Sequence, residues 1–163
     1  MKNVLYLHGL NSTLHDDRRE VLEEYGFNIS APQLDYENDP KVLDKLLTEY
    51  KDIGFIIGSS AGGLVGYYLS GLLRVPALVF NPALPFVEDY MNLPDLPVRE
   101  NFLLAVIGAK DEIVNPYKSF EILNNEKNSE DFIEIHWRKQ MQHSLPINIF
   151  KEELKYFFDK VLS

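Results

Sequence analysis

The sequence predicts an α/β fold, an open and mostly parallel sheet sandwiched between two layers of helices. Three observations carry this expectation. Short, continuous apolar runs of strand length recur six times, as in strands buried on both faces. Segments with helical apolar spacing lie between them. Capping and proline signals mark where some of those helices begin. With 163 residues, 45% of them apolar and 25% charged, the chain is the size of one domain with one substantial core. Residues 1–163 are therefore read as a single domain.

Taken in order, Val4–Leu7 is the first run and ends at His8-Gly9. Val21, Leu22 and Tyr25 form a short helical stripe closed by Gly26. Phe27–Ala31 is a weaker second strand. Asp39-Pro40 sets a capping residue before a proline, and Val42, Leu43, Leu46, Leu47 and Tyr50 continue as a helical stripe. Ile53–Ile57 is the third strand, and Leu64, Val65, Tyr68, Leu69, Leu72 and Leu73 mark a well-buried helix behind it. Ala77–Phe80 is the fourth strand. Pro82 to Arg99 contains Pro82, Pro85, Pro94 and Pro97 and reads as loop with a short helix around Phe86–Met91. Phe102–Ile107 is the fifth strand. Asn115-Pro116 repeats the capping signal before a helix reaching about Asn124. Phe132–Trp137 suits a sheet-edge strand. The last helix starts near Pro146 and buries Ile149, Phe150, Leu154, Phe157, Phe158 and Val161.

Composition excludes several classes. Lys+Arg is 16 and Asp+Glu is 25, so the net charge is 16 − 25 = −9, which lacks the basic footprint of a nucleic-acid binder. There is no cysteine, which removes disulfides, thiolate nucleophiles and zinc–thiolate sites. No apolar run approaches the ~20 residues that cross a bilayer, and Val4–Leu7 is too short for a signal h-region. The expectation is a soluble cytoplasmic protein with no membrane partner; its oligomeric state is not readable. The four histidines lack paired metal-ligand spacing, and neither a metal nor a cofactor is expected.

In α/β sheets ligands lie beyond the carboxyl ends of the strands. After the third strand comes Gly58-Ser59-Ser60-Ala61-Gly62-Gly63, a G-x-S-x-G pattern leading into a helix. A nucleophile on such a turn must stand clear of the backbone in a strained conformation, and glycines two before and two after it remove the resulting clash. Ser60 is the candidate; Ser59 lacks the symmetric glycines. A serine hydroxyl needs a base. Of the histidines, only His143 is late in the chain and on a strand-end loop; His15 falls in a polar stretch and His136 within the sixth strand. Asp111, after the fifth strand, is the candidate carboxylate, with Glu112 as fallback. The order Ser60, Asp111, His143 is that of α/β-hydrolases. Ala61 and Leu10 are expected to offer backbone N–H groups to an oxyanion, with His8 tying down the Leu10 loop.

Tyr6-Leu7-His8-Gly9-Leu10-Asn11-Ser12, Gly58–Gly63, Asn81-Pro82-Ala83, Gly108 with Asp111-Glu112-Ile113-Val114, and His143 together resemble the small YqiA/YcfP-type serine esterases of the α/β-hydrolase superfamily. The resemblance runs from residue 4 to about residue 145. It implies a minimal α/β-hydrolase fold with strand order 2-1-3-4-5-6, a Ser60–His143–Asp111 triad, and cleavage of small carboxylic esters or thioesters. Two departures stand out. The region after Asn-Pro-Ala is short, which leaves no large cap, and no Gly-Gly precedes His143.

Leu84, Phe86 and Leu145 are the expected substrate-binding residues, with Tyr90 and Met91 near the entrance. Arg18, Arg19 and Lys110 are the cations near strand ends able to offset the acidic charge toward an anionic thioester. Two other readings stand beside the hydrolase. One is a non-catalytic binding module on the same scaffold. The other is an anion cradle at Gly58–Gly63, although the turn matches neither a P-loop nor G-x-G-x-x-G.

Overall fold

In the computed structural model, which describes residues 2–90, 94–126 and 129–162, six strands form one sheet. They are β1 (Asn3–Leu7), β2 (Asn28–Ser30), β3 (Phe55–Ser59), β4 (Ala77–Phe80), β5 (Leu103–Gly108) and β6 (Ile133–Arg138). Their order is β2-β1-β3-β4-β5-β6, and every neighbouring pair is parallel. The expected order therefore holds, with no antiparallel member.

Side chains alternate across the sheet and split the core in two. Leu5, Leu7, Ile56, Val79, Leu103, Ala105 and Ile107 face one layer, made by α2 (Val42–Glu49), α3 (Ala61–Leu73) and α5 (Pro116–Asn124). Val4, Tyr6, Phe55, Ile57, Leu78, Phe80, Leu104 and Val106 face the other, made by α1 (Asp16–Glu24) and α7 (Ile147–Val161). Both faces being covered explains why the strands read as continuous apolar runs rather than alternating ones. No helix among the described residues is long and apolar enough to cross a membrane.

Several boundaries differ from expectation for local reasons. The third strand begins at Phe55, because the Ile53 N–H closes the preceding turn onto the Tyr50 carbonyl at 3.1 Å. Phe132 ends a short helix, α6 (Ser129–Phe132), and the ladder with Leu103 starts at Ile133. Asp39-Pro40 does not cap α2 directly. Asp39 Oδ1 accepts the Lys41 N–H at 3.0 Å and Oδ2 meets Lys45 Nζ at 2.6 Å, so the aspartate organises the turn ahead of the helix. Asn115 does cap α5, accepting from the N–H groups of Tyr117 and Lys118 at 3.0 and 3.3 Å.

The proline-rich stretch opens with a 3-10 turn at Leu84–Phe86 and the short α4 (Val87–Tyr90). Met91 lies outside the described residues. Arg99 anchors the far end of the stretch from a fully buried position. Its Nε donates to Glu126 Oε1 at 2.6 Å, Nη1 to Ser70 Oγ at 2.9 Å and Nη2 to the Tyr67 carbonyl at 3.2 Å. A buried cation is tolerated because it is paired and hydrogen-bonded throughout.

Candidate active site

The strand order reverses direction between β1 and β3, and the crevice of an open α/β sheet forms at such a point. β3 ends at Ser59 and α3 begins at Ala61, leaving Ser60 alone on the turn with φ 55° and ψ −116°. A non-glycine residue in such a conformation carries a strain on the order of 1–3 kcal/mol. Backbone hydrogen bonds hold it there. The Ser60 N–H donates to the Phe80 carbonyl at 3.0 Å, and the Ser60 carbonyl accepts from Leu64 and Ala83 at 3.0 and 2.9 Å. The Ser60 hydroxyl makes no capping bond to the helix.

The two flanking glycines are explained by close approach. A Cβ on Gly58 would sit 2.3 Å from the Gly62 carbonyl oxygen, and one on Gly62 would sit 2.1 Å from that of Leu7. β1, β3 and α3 thus touch backbone to backbone at this turn. Gly62→Ala is expected to destabilise the protein by about 3 kcal/mol through overpacking against backbone that cannot yield. For a domain of this length that corresponds to a fall of roughly 10 °C in the thermal unfolding midpoint, readable by circular dichroism.

Asp111 follows β5. Its Oδ1 accepts the N–H groups of Ile113 and Val114 at 2.8 and 2.9 Å, while Oδ2 accepts the Nδ1–H of His143 at 2.8 Å. The carboxylate is 1% exposed and the imidazole 27% exposed, so the pair has one end sealed and the other open. With Nδ1 donating, Nε2 is left free to accept. The loop carrying His143 lies directly on Gly108, where a Cβ would come within 2.5 Å of the Met141 carbonyl oxygen and 2.7 Å of that of Gln142. The close approach that glycines before the histidine would allow is here provided by a glycine opposite it.

Asn81 fixes this loop from the other side, a role that the sequence reading did not assign to it. It directly follows β4 with φ 42° and is buried. Its Nδ2 donates to the carbonyls of Gln142 and His143 at 3.0 and 2.9 Å, and its Oδ1 accepts the Gly108 N–H at 2.8 Å. The detectable signal was an asparagine at a strand end, a residue type that tolerates positive φ.

The loop after β1 lies over Ser60, with a Cβ on Gly9 falling 3.6 Å from Ser60 Cβ. His8 is buried, and its ring bonds fix its tautomer. Nε2 accepts the Leu34 N–H at 2.7 Å, so Nδ1 carries the hydrogen and donates to the Gly9 carbonyl at 2.6 Å. Tyr36 adds a bond from its hydroxyl to the His8 carbonyl at 2.7 Å. The Gly9–Leu10 peptide is trans, so holding its C=O toward His8 turns the Leu10 N–H the opposite way. The N–H of Ala61, first residue of α3, lies among those that a helix start leaves without an intrahelical acceptor.

A cavity of about 720 Å³ opens at this point. Ser60, His143, Leu10, Phe86 and Leu145 all line it, together with Tyr6, His15, Arg18, Ile113 and Val114. Leu84 does not. It is 2% exposed and packs into the core with α3, because the 3-10 turn points its side chain inward. Ser59 also reaches the cavity, His15 stands at its exposed rim, and Glu112 is exposed outside it. His136 pairs with Glu153 at 2.6 Å on the far edge of the sheet and takes no part. No group of metal-ligating side chains occurs among the described residues.

The sheet order, the flanking layers and the strained turn after β3 define the α/β-hydrolase fold. Residues 3–111 match the model of the uncharacterised protein family UPF0227, and the chain belongs to that family, in line with the resemblance to YqiA/YcfP-type proteins. Solved structures with the same fold include MGS-MChE2, an α/β-hydrolase enzyme from the metagenome of sediments of the Mar Chica lagoon in Morocco. It is 14% identical with a TM-score of 0.73, over 98% of this chain and 91% of that one. Est1E from Butyrivibrio proteoclasticus is 16% identical with a TM-score of 0.73, over 98% and 87% of the two chains. SOBER1 of Arabidopsis thaliana is 14% identical with a TM-score of 0.71, over 99% of each.

Proposed function

We propose that the protein is a serine hydrolase that cleaves small carboxylic esters or thioesters through an acyl-enzyme on Ser60. The observation that carries this reading is the His143–Asp111 hydrogen bond of 2.8 Å, made by an imidazole that lines the same cavity as the strained Ser60. Membership of the family and the likeness to α/β-hydrolase enzymes support it.

In this mechanism Ser60 Oγ attacks the acyl carbon while His143 Nε2 takes its proton. The Asp111 carboxylate holds the Nδ1–H tautomer and stabilises the imidazolium. The Leu10 and Ala61 N–H groups receive the developing oxyanion, the first oriented through His8 and the second at the positive end of α3. His143 returns the proton to the leaving alcohol or thiol. A water deprotonated by His143 then releases the acid. Apart from that water and the substrate, the steps use side chains and backbone of this chain, and a cavity of about 720 Å³ suits a small molecule.

Covalent labelling tests the reading. A fluorophosphonate probe is expected to add one adduct to the folded protein, mapped by mass spectrometry to Ser60, and acid denaturation before exposure should prevent it. Absence of the adduct on folded protein would leave the non-catalytic binding module as the better account. A panel of chromogenic esters and thioesters of graded chain length then defines the acyl preference.

A further inference from the structure

Of the three cations near strand ends, Arg19 does not line the cavity, and Lys110 donates to Gln140 at 2.6 Å on the exposed surface. Arg18 does line it, as do Tyr6 and Leu145, which it touches, and Ser12, His15 and Asp17. Its guanidinium is half-buried and held in place. Nη1 donates to the Tyr6 hydroxyl at 2.9 Å, Nη2 donates to the Leu145 carbonyl at 3.0 Å, and the group lies 5.8 Å over the Phe150 ring. These bonds use two of the five N–H donors that a guanidinium offers. Both partners are neutral. Arg18 forms no side-chain ion pair among the described residues, although the chain carries 25 acidic residues. The neighbouring Asp17 is exposed, and its Oδ1 accepts the Arg18 backbone N–H at 2.8 Å. A cation fixed by neutral partners on the wall of an otherwise mostly uncharged cavity is a ready counter-charge for a ligand.

We propose that Arg18 is the specificity-determining residue of this site and selects substrates that carry a second, anionic group, a carboxylate or phosphate, away from the scissile bond. The proposal rests on the hydrolase reading above and names its substrate class. The planar fork matches such oxyanions in geometry, two parallel N–H groups meeting two oxygens. The anion would take the unused N–H donors while the acyl carbon lies at Ser60.

The test uses two matched ester pairs. Mono(4-nitrophenyl) glutarate against 4-nitrophenyl pentanoate places the charge on the acyl side. 4-Carboxyphenyl butyrate against phenyl butyrate places it on the alcohol side. The native protein is expected to favour the charged member of at least one pair by about tenfold in kcat/KM, in keeping with one charged hydrogen bond. Arg18→Met is expected to erase that preference through KM, and Arg18→Lys to keep part of it. No preference in either pair, or a parallel loss on charged and neutral esters in Arg18→Met, would overturn the proposal. Protection of Ser60 from the fluorophosphonate by glutarate or by inorganic phosphate distinguishes the two oxyanions.

If Ser60 is inert to the probe and no ester is turned over, the hydrolase reading fails by itself. Calorimetric titration of glutarate and of inorganic phosphate then still reads Arg18. Binding that is lost in Arg18→Met but retained in part by Arg18→Lys supports the anion site, and absence of binding to the native protein rejects it.

Discussion

Ser60→Ala is expected to lower ester turnover by about 10⁴-fold or more, because the proposed mechanism loses its nucleophile and the acyl-enzyme route with it. The variant keeps the Leu10 and Ala61 N–H groups proposed to receive the oxyanion, so slow turnover above the uncatalysed rate is expected to survive. Stability should barely change. The hydroxyl makes no capping bond, and alanine takes the same strained φ of 55° that serine does. Thermal unfolding within a few degrees of the native protein, together with lost turnover of a chromogenic ester, is the expected pair of results. Full turnover in the variant would remove Ser60 from the chemistry. Ser60→Gly extends the experiment, since glycine relieves the strain and should raise the unfolding midpoint while remaining inactive.

Asp111→Asn should cost on the order of 10⁴-fold in kcat with little loss of fold, as expected when the orienting carboxylate is replaced by its amide. An asparagine oxygen can still accept from the N–H groups of Ile113 and Val114, which are the contacts that shape the turn. The side facing His143 then presents an N–H₂ group, which donates where the carboxylate accepted. The imidazole must move its hydrogen to Nε2 and can no longer take the serine proton. Asp111→Ala also removes both turn contacts, so a larger stability loss in alanine than in asparagine separates tautomer control from scaffolding. Equal kinetics for the native protein and Asp111→Asn would show that the 2.8 Å pair is structural only.

The strands were legible because burial on both faces leaves nothing but apolar side chains in runs such as Leu103–Ile107. The strained turn at Ser60 was legible because the backbone crowding at Gly58 and Gly62 leaves a local trace at fixed spacing. Asp111 and His143 could be named from their places after strands, since sheet topology gathers strand ends at one rim. Other features leave no local trace. Asn81 meets Gln142 and His143 across 61 and 62 residues, and no periodicity records such a contact. Arg18 reaches the Leu145 carbonyl across 127 residues. Leu84 sits at a strand end, yet one 3-10 turn decides whether its side chain enters the cavity or the core. Phe132 has the apolar character of a strand residue, but the short helix that it ends keeps it one position short of the ladder.

The clamp at the end of β4 has a mechanical consequence. The Phe80 carbonyl fixes the backbone of Ser60, and the side chain of the very next residue, Asn81, fixes the carbonyl of His143. Two groups far apart in sequence thus hang from a common mount one peptide wide. Their spacing is governed by that mount rather than by the free course of a surface loop, so the arrangement proposed for Ser60 and His143 is built into the sheet itself.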